Sequence, residues 1–590
     1  MADKTLAHEV DLRKFFVFFR TILGPEKKFY WLAVVYGIGI GVLSLATPIS
    51  VQMLINTVAN TGLTTPLIVL TVTLFVLLLI AGGLNAMRIH LMDLFARRFY
   101  ARMVSEISLR SVYALNPFFQ DYKMGALFNR YFDIIIVQKT LPNLLVGGFT
   151  IVLQAAVGFI LVSLYHPLFL VFNLVVVTLI WLIWIIWGRR AIRSAIGLSH
   201  KKHAAAAWLE GLGDSNGFFK SQRHIQEAIG RTDAVTSDYV DQHATHFRHH
   251  FAQTLSFLFI YAAASAMLLG LGGWLVIQGQ LSLGQLVAAE LVLSVVFVGI
   301  SQMGIYLAYF YELCGAVDEL SLFLMVEQEE PDSGKDDYHG DGTLEFVGAS
   351  GNARGIVATM DFQIPGGARV MGAAETHGVQ AELTDFLKRH EPPETGYVTL
   401  GGIDIRGIRA HTLRQKIIVL DQPNAIEMTI REYLQLSGED VSANTIVDVV
   451  ETVGLESAIG HLEEGLNTRI ASTGWPLTIT ETMQLKLASA IIARPKVLVL
   501  NELFDTLSDK VLKRSLDKLQ SEAGTTIIYF TGRNHPLGFT QYLFLGQQEQ
   551  TIYKSFDELV NRCNDRSSQR DAPEEIAVDL PPAVASEEVR

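Results

Sequence analysis

The sequence predicts an α-helical membrane domain with six transmembrane helices, followed by an α/β domain. Two observations carry this prediction. Long apolar runs occupy the chain before residue 312, and short β-like runs alternate with helical runs after residue 342. Of the 590 residues, 50% are hydrophobic and only 18% are charged, which is too apolar for an ordinary soluble protein. The chain is also long enough for two or more domains.

Composition excludes several classes of protein. The net charge of −12 argues against a general nucleic-acid binder. The two cysteines, Cys314 and Cys563, are far apart in sequence, so they provide neither a disulfide framework nor a metal-ligand cluster. The first residues, about thirty of them, are charged and polar, which is unlike a cleavable signal peptide. We therefore expect a membrane protein without structural disulfides.

Six apolar runs in the first half are long enough to cross a bilayer, which takes about 20 helical residues. Buried helices of a large soluble protein are a poor alternative for runs this apolar. The six predicted spans are Phe29–Leu54, Leu67–Met87, Leu144–Tyr165, Leu168–Gly188, Thr254–Gly279 and Leu283–Tyr309.

The distribution of basic residues predicts the orientation of these spans. The short connections at Asn56–Thr65, His166 and Gln280 contain no Lys or Arg, whereas the N-terminal segment and the two long connections contain many. By the positive-inside rule, both termini are expected in the cytoplasm, in a cytoplasmic (inner) membrane. Helical periodicity in the two long connections predicts that the helices continue beyond the membrane. Pro117 and Gly125 are expected to form the turn that joins the first pair.

Two polar features of the membrane domain are candidate sites. Glu290 lies inside the sixth apolar run, where a carboxylate indicates a substrate pathway, although a wet edge or a polar neighbour explains it equally well. His243, His246 and His250 share one helical face and could bind zinc, but no carboxylate or cysteine completes the set. A solvated helix face is the favoured interpretation of these histidines, and we predict no metal site.

The stretch Ala368–Gln380 has the outline of a phosphate-binding loop. We interpret Gly372 and Gly378 as its two glycines, at the G-x-x-x-x-G spacing. A working loop continues with a lysine that reaches the phosphates and a Ser/Thr that holds Mg²⁺, but here Val379 and Gln380 follow. Glu375 adds a carboxylate within the loop, and like charges about 4 Å apart repel by roughly 4 kcal/mol at an effective dielectric of 20.

The order of domains and several motifs resemble the ATP-binding-cassette (ABC) exporters. Six spans with long second and fourth connections precede a domain of about 220 residues that resembles the ABC nucleotide-binding domain, an α/β P-loop NTPase-like fold. The resemblance covers the domain along its whole length. The stretches that carry it are Phe118–Phe119 followed by Gly125, Ile277–Leu286, Gly401–Arg406, Leu413–Gln422 and Ala488–Glu502.

This resemblance assigns roles to individual positions, and few of the family's functional residues remain. Gln422 stands at the Q-loop glutamine and Glu502 at the catalytic glutamate, which we interpret as a relic or a structural partner. The Walker B aspartate is replaced by Asn501, and the switch histidine by Gly532. The signature L-S-G-G-Q is replaced by Leu477–Glu481, in which Ile479 removes a glycine and Glu481 adds a charge towards phosphate. No aromatic residue between Phe346 and Phe362 is available to stack on adenine.

Three functions follow as alternatives. The first is a dimeric, transport-related exporter subunit that has lost ATP hydrolysis, so that it is not an ATPase and MgATP is a cofactor only if the degenerate site still binds it. The second is a non-transporting scaffold, sensor or regulator. The third is an exporter with weak residual or partner-dependent ATPase activity. Because family members are dimers with composite ATP sites, the expected partners are the lipid bilayer, a second copy or another ABC subunit, and accessory periplasmic proteins.

The predicted domain boundaries follow from the change in composition. The hydrophilic stretch that begins near Glu327 marks a linker, and the polar, acidic C-terminal residues indicate a disordered tail. The expected organisation is a cytoplasmic segment at 1–28, the membrane domain at 29–325, the linker at 326–341, the degenerate nucleotide-binding domain at 342–562 and the tail at 563–590.

Overall fold

The computed structural model describes residues 12–55, 64–115, 126–329, 338, 340–353 and 356–570. The chain divides into two compact units, Met1–Glu329 and Glu330–Arg590. Several segments that the sequence assigned lie outside the described residues. They are most of the loop Asn56–Thr65, the turn with Pro117 and Gly125, most of the linker 326–341, and the terminal residues 571–590.

The first unit is helical in its described part. A π-helical turn, Leu144–Gly148, joins its fifth and sixth helices. The helices are α1 (Leu12–Leu23), α2 (Lys27–Leu43), α3 (Ala46–Met53), α4 (Thr64–Val112), α5 (Asp133–Asn143), α6 (Phe149–Ser163), α7 (Pro167–Asp214), α8 (Gln222–Ile277), α9 (Leu283–Ser301) and α10 (Met303–Leu324).

Six helical stretches of the described chain are long and apolar enough to cross a membrane, which confirms the predicted number of spans. Three of the helices run far beyond the apolar runs. α4, α7 and α8 contain 49, 48 and 56 residues. At about 1.5 Å per residue, α8 is roughly 84 Å long, whereas the hydrocarbon core of a bilayer is about 30 Å thick. The long connections are therefore continuations of the membrane helices, as their periodicity predicts.

Two of the predicted spans are interrupted. The first run is divided at Ser44 and Leu45, between α2 and α3, and the Ser44 hydroxyl donates a hydrogen bond to the carbonyl of Gly41 at 2.6 Å. The sixth run ends at Gln302, which separates α9 from α10. Just beyond this break, Gly304 lies so close to α8 that an added Cβ would stand 2.5 Å from Thr254 Oγ1. Close helix contact accompanies the second interruption.

Buried ion pairs connect the extended helices of the first unit. Asp133 on α5 is fully buried and contacts His203 at 2.6 Å and Lys202 at 2.7 Å, both on α7. Glu319 on α10 is fully buried and pairs with Arg130 at 2.5 Å. A buried carboxylate is tolerated when it is paired and hydrogen-bonded, so these contacts fix α5 against α7, and α10 against the 3₁₀ helix Ala126–Phe132 that precedes α5.

The second unit contains strands and helices in alternation, which confirms the predicted α/β class. Its strands are β1 (Leu344–Ala353), β2 (Ile356–Ile364), β3 (Arg369–Ala374), β4 (Thr395–Leu400), β5 (Ile403–Asp404), β6 (Ile417–Leu420), β7 (Met428–Thr429), β8 (Arg469–Ile470), β9 (Val497–Leu500), β10 (Thr526–Phe530), β11 (Gln541–Leu545) and β12 (Gln550–Tyr553). Its helices are α11 (His377–Lys388), α12 (Ala410–Lys416), α13 (Ile430–Gln435), α14 (Ala443–Val453), α15 (Glu456–His461), α16 (Ile479–Ala493), α17 (Asp509–Ala523) and α18 (Phe556–Arg570).

The main sheet of this unit has six strands in the order β12-β11-β3-β10-β9-β6, and all but β12 run parallel. A separate antiparallel sheet has the order β2-β1-β4-β5. Strands buried on both faces read as continuous apolar runs, and β9 and β10 do so. One boundary differs from the sequence prediction. α18 continues to Arg570, so residues 563–570 are helical and do not belong to a disordered tail.

Candidate functional site

Four parallel strands of the second unit end at one edge of the six-stranded sheet. β3, β10, β9 and β6 are successive neighbours, and all run in the same direction. In open α/β sheets, ligands bind beyond the carboxyl ends of the strands. The topology therefore places four segments at this edge, namely Glu375–Thr376, Asp421–Gln422, Asn501–Glu502 and Thr531–Gly532.

Gly372 lies inside β3 and not in the loop that follows it. A Cβ at this position would stand 2.8 Å from the ring of Phe530 on the neighbouring strand, so the glycine leaves room for an aromatic core residue. In addition, five residues separate Gly372 from Gly378, one more than the phosphate-loop motif has. The assignment of Gly372 to a phosphate loop is therefore wrong. Ala373 stands at the motif's distance from Gly378.

The first turn of α11 carries the two positions that the resemblance assigns to the phosphate lysine and the Mg²⁺ hydroxyl. Thr376 caps this helix, because its Oγ1 accepts a hydrogen bond from the N–H of Val379 at 3.4 Å. The Val379 side chain is fully buried in the hydrophobic core. The Gln380 side chain is also buried, and its Nε2 donates to Oε2 of Glu502 at 3.4 Å. Both positions now serve contacts within the protein.

Asn501 connects the ends of β6 and β9. Its Oδ1 accepts a hydrogen bond from the N–H of Leu503 at 3.2 Å, which caps the short 3₁₀ helix Glu502–Thr506. Its Nδ2 donates to the backbone carbonyl of Asp421 at 3.0 Å. The Asp421 carboxylate forms an ion pair with Lys388 at the end of α11. An ionised aspartate cannot donate, so the amide makes a connection that the family's aspartate would not make.

Asp505 organises the end of β10, although the sequence analysis did not single it out. Its carboxylate accepts hydrogen bonds from the hydroxyls of Tyr529 and Thr531, the latter at 2.5 Å, and from the N–H of Gly532 at 3.0 Å. Burial, reinforced by the hydrogen bond to Asp505, raises the pKa of Tyr529 above its usual value. Gly532, at the position of the switch histidine, therefore donates its backbone N–H to the carboxylate of Asp505. The partners are 24 to 27 residues apart in sequence, so no local pattern indicates this network.

A capping box occupies the start of α16, where the resemblance places the signature. The Thr478 Oγ1 accepts a hydrogen bond from the N–H of Glu481 at 3.3 Å, and Glu481 Oε2 accepts from the N–H of Thr478 at 2.8 Å. The pattern Thr-x-x-Glu before a helix is the sequence signal for this motif, and the interpretation of Glu481 as a charge towards phosphate overlooked it. The helix terminus that favours anions already contacts a carboxylate of its own chain.

The remaining predicted positions of the second unit have separate contacts. Phe346 and Phe362 stack on each other with ring centroids 4.7 Å apart, and Phe346 is fully buried. Glu375 Oε2 accepts a hydrogen bond from the N–H of Gln547 at 3.0 Å, so its carboxylate is bound to the turn between β11 and β12. Gln422 is exposed just beyond β6. Phe346 lies in the core, and Phe362 packs against it partly buried.

Glu290 is partly buried on α9. Its Oε1 accepts a hydrogen bond from the Ser294 hydroxyl, one helical turn further on, at 3.4 Å. Its Oε2 is inaccessible to solvent and has no hydrogen-bond partner among the described residues. Both interpretations of this carboxylate therefore keep an observation in their favour. A polar neighbour is present, and one oxygen is left for a ligand or another helix.

The histidines of α8 differ from the predicted solvated face. His246 and His250 are partly buried, whereas His243 is exposed. The His246 Nδ1 lies 3.1 Å from the Ser194 hydroxyl on α7, and the His250 Nε2 donates to the carbonyl of Gly304 at 2.8 Å. The interpretation as a fully solvated face is wrong, because these rings fill the contact with neighbouring helices. Within the described ranges, no cluster of three metal-ligating side chains is found.

Comparison with known proteins agrees with this architecture. Residues 30–210 match the ABC transporter transmembrane region. The uncharacterised ABC transporter ATP-binding protein YfiC of Bacillus subtilis is 25% identical over 475 residues, covering 76% of this chain and 75% of that protein. The ATP-dependent permease MDL1 of Candida albicans is 23% identical, covering 83% and 74%. Multidrug resistance protein 3 of Entamoeba histolytica is 30% identical, but the match covers 29% of this chain and only 14% of that protein.

The fold also matches a solved structure over most of its length. A bacterial Atm1-family ABC exporter with ATP bound superimposes with a TM-score of 0.78 at 15% identity, covering 94% of this chain and 100% of that one. Six spanning helices and an α/β unit thus define an integral membrane protein with the exporter fold. In sequence and in fold, the chain is similar to ABC transporters.

Proposed function

We propose that this chain is a transport-related subunit of exporter type that acts as a dimer and has lost ATP hydrolysis. One observation carries the proposal. At the position of the Mg²⁺ hydroxyl, the amide of Gln380 contacts the carboxylate of Glu502 directly, at 3.4 Å. In a working site a metal ion and a nucleotide phosphate lie between these two positions. Here the side chains that would hold the metal and position the attacking water contact each other.

The charges at the site support the same conclusion. Phosphoryl transfer depends on positioning and on cations that neutralise the phosphates. The lysine position is Val379, whose side chain packs in the core, and the Walker B position is the neutral Asn501. The groups that remain at the predicted phosphate positions, Glu481 and Glu502, are acidic. The residues present therefore do not fit MgATP, and no hydrolytic step is assigned to this chain.

The expected loss of affinity is large. A hydrogen bond to a charged group contributes about 1.5–3 kcal/mol, so the absence of two of them weakens binding by a factor of at least about 100. The backbone N–H groups and the dipole at the start of α11 still favour an anion, although the N–H of Val379 already donates to Thr376. We therefore expect no binding of MgATP in the micromolar range.

The dimer and its orientation follow from the family and from the basic residues. Exporters of this family are dimers, and each ATP site combines the phosphate loop of one subunit with the signature of the other. A second copy of this chain supplies neither part intact, and an intact partner leaves both composite sites damaged. The protein lies in the inner membrane with both termini in the cytoplasm, so the second unit is on the cytoplasmic side of the membrane. Association with a second copy or with another ABC subunit does not require an active site.

The test uses the full-length protein in lipid nanodiscs. Calorimetric titration with MgATP is expected to give no saturable signal below the millimolar range. Phosphate release should equal that of a Glu502→Gln variant, with Glu439→Gln as a control at an exposed acid. Mass measurement of the same sample should give two subunits of 65.3 kDa or a heteromeric complex. Micromolar binding, or phosphate release that Glu502→Gln abolishes, would contradict the loss of hydrolysis, and a strict monomer would contradict the dimer.

A further inference from the structure

Arg88 occupies an unusual place on α4. It directly follows the apolar run Leu67–Met87, where a basic side chain normally extends towards the membrane surface and remains hydrated. Here the residue is only 2% exposed. The guanidinium is turned into the helical bundle. Solvation at the end of a span therefore does not explain why an arginine stands at this position.

The partners of Arg88 are all neutral. Its Nη1 donates to the Thr150 hydroxyl on α6 at 2.6 Å, and its Nη2 donates to Oδ1 of Asn85 at 2.8 Å. Its Nε is buried and has no acceptor, and no carboxylate of the described chain forms an ion pair with it. A buried charge without a counter-charge is costly even when part of its hydrogen-bonding capacity is satisfied.

Several other partly or fully buried charges of the first unit have counter-charges, although Glu290 does not. Arg102 pairs with the buried Glu26 at 2.7 Å and with Glu106 at 3.2 Å. Arg130 pairs with the fully buried Glu319 at 2.5 Å. In these two places, an acidic side chain of the first unit balances the charge of the buried arginine. Arg88 differs, and an anion that is not part of the chain can supply the missing charge.

The surroundings of Arg88 combine a close approach of α2, an apolar wall and a π-helical turn. Gly37 on α2 lacks a side chain there, and a Cβ would stand 3.5 Å from the Arg88 Nη1, 3.0 Å from Leu153 and 3.8 Å from Phe149. The π-helical turn Leu144–Gly148 ends two residues before Thr150, whose hydroxyl donates to the carbonyl of Val146 within that turn. Such turns are frequent at functional sites because they permit local changes of register.

We propose that Arg88 binds the anionic group of an amphipathic ligand between α2, α4 and α6. The anionic group is a carboxylate or a phosphate, either of which accepts two parallel hydrogen bonds from a guanidinium. The apolar part of the ligand lies against Leu153 and Phe149. Binding replaces the neutral acceptors of Arg88 by a charged one and supplies an acceptor for Nε. The proposal adds a ligand class to the transport-related role on which it rests, and its test measures binding without nucleotide, so the two can fail separately.

The test compares two probes of equal chain length and opposite charge. Full-length protein in phosphatidylcholine nanodiscs is titrated with decyl phosphate and with decyltrimethylammonium, and thermal unfolding and calorimetry report binding. The wild-type protein should bind decyl phosphate saturably and in preference to the cation. Arg88→Gln should weaken decyl phosphate binding at least tenfold, whereas Arg88→Lys, which keeps the charge but loses the two parallel hydrogen bonds, should show an affinity between those of the wild type and Arg88→Gln. Equal affinity in Arg88→Gln, or no preference in the wild type, would overturn the proposal.

Two further experiments cover the case of a variant that does not fold and identify the source of the anion. If Arg88→Gln does not fold, Thr150→Val replaces it, because this variant keeps the charge and frees one donor. It should bind decyl phosphate at least as tightly as the wild type, and loss of the preference for the anion would refute the site. Nanodiscs containing phosphatidylglycerol identify the source of the anion. Competition with decyl phosphate indicates a lipid headgroup as the ligand, and absence of competition indicates a soluble amphipathic anion.

Discussion

Glu382, on α11, is a buried acid for which neither the sequence nor the nucleotide site provides a reason. It is 1% exposed, and it packs near Gly351 on the antiparallel sheet, where an added Cβ would stand 3.0 Å from its Oε1. Burial raises the pKa of this carboxyl from 4.5 to about 7, opposed by the backbone N–H groups of Gly351 and Ala358 and reinforced by the charges of Glu391 and Glu394.

The sign of the effect on stability follows from this shift. In the unfolded chain the carboxyl loses its proton near pH 4.5, whereas the folded domain keeps it until about pH 7. Between these values the unfolded state binds fewer protons, so the free energy of unfolding falls as the pH rises, and it levels off above pH 7. Since one pKa unit corresponds to about 1.4 kcal/mol, the rise from 4.5 to about 7 gives a destabilisation of at most about 3.5 kcal/mol at pH 8. Glu382→Gln should recover roughly 1–3 kcal/mol there and less than about 1 kcal/mol at pH 5.

Hydrogen exchange on the full-length protein in nanodiscs measures this difference locally. Peptides from α11 and from β1 and β2 are followed at pH 5 and pH 8, with protection factors corrected for the intrinsic exchange rate. At pH 8, Glu382→Gln should raise protection by roughly 5- to 150-fold, and at pH 5 by less than about fivefold. Glu439→Gln, at an exposed acid, is the control. A gain of equal size at both pH values, or lower protection at pH 8, would refute the reasoning.

Two more predictions concern the orientation and the signature helix. In a background with Cys314→Ala and Cys563→Ser, an impermeant thiol reagent applied to intact cells should label single cysteines in the three short loops, and protection of all three would contradict the topology. The positions are 60, which lies outside the described residues, 166 and 280. Thr478→Val removes the capping acceptor of α16 and should cost about 1 kcal/mol, seen as faster hydrogen exchange in the first turns of that helix. Thr540→Val, on an exposed side chain, is the control, and unchanged exchange in α16 would show that the cap contributes nothing.

The fold was predictable because its signals are local and repeated. An apolar run of span length has few other interpretations in a long chain, and β-like runs that alternate with helical ones predict a parallel sheet. The interruption at Gln302 was not predictable, because hydropathy does not report where one helix ends against another. Nor did composition indicate that α18 continues to Arg570, since polar residues also form exposed helical faces.

The site was predictable only where a single position decides its chemistry. The absence of a lysine at Val379 is visible in the sequence, but its burial in the core is not. Gly372 was misassigned because a glycine before a helix resembles a loop glycine, and only the strand pairing reveals Phe530 beside it. Arg88 could not be identified as unpaired, since a missing counter-charge is a property of three-dimensional neighbours. The capping role of Glu481 was available from spacing alone and was overlooked.

Under the proposed loss of hydrolysis, the structural contacts of the substituted positions in the nucleotide site make an evolutionary return to catalysis energetically unfavourable. Val379 fills the core, Asn501 joins two strand ends, and Glu481 caps a helix. Reverting any one of them alone would remove an existing contact before the other catalytic groups are present to give a benefit. Each such step would cost stability in a protein that, like most, has only a small margin above its folding threshold. Contacts of this kind make the loss difficult to reverse. Descendants of this chain would therefore diverge further from hydrolysis more readily than they would regain it.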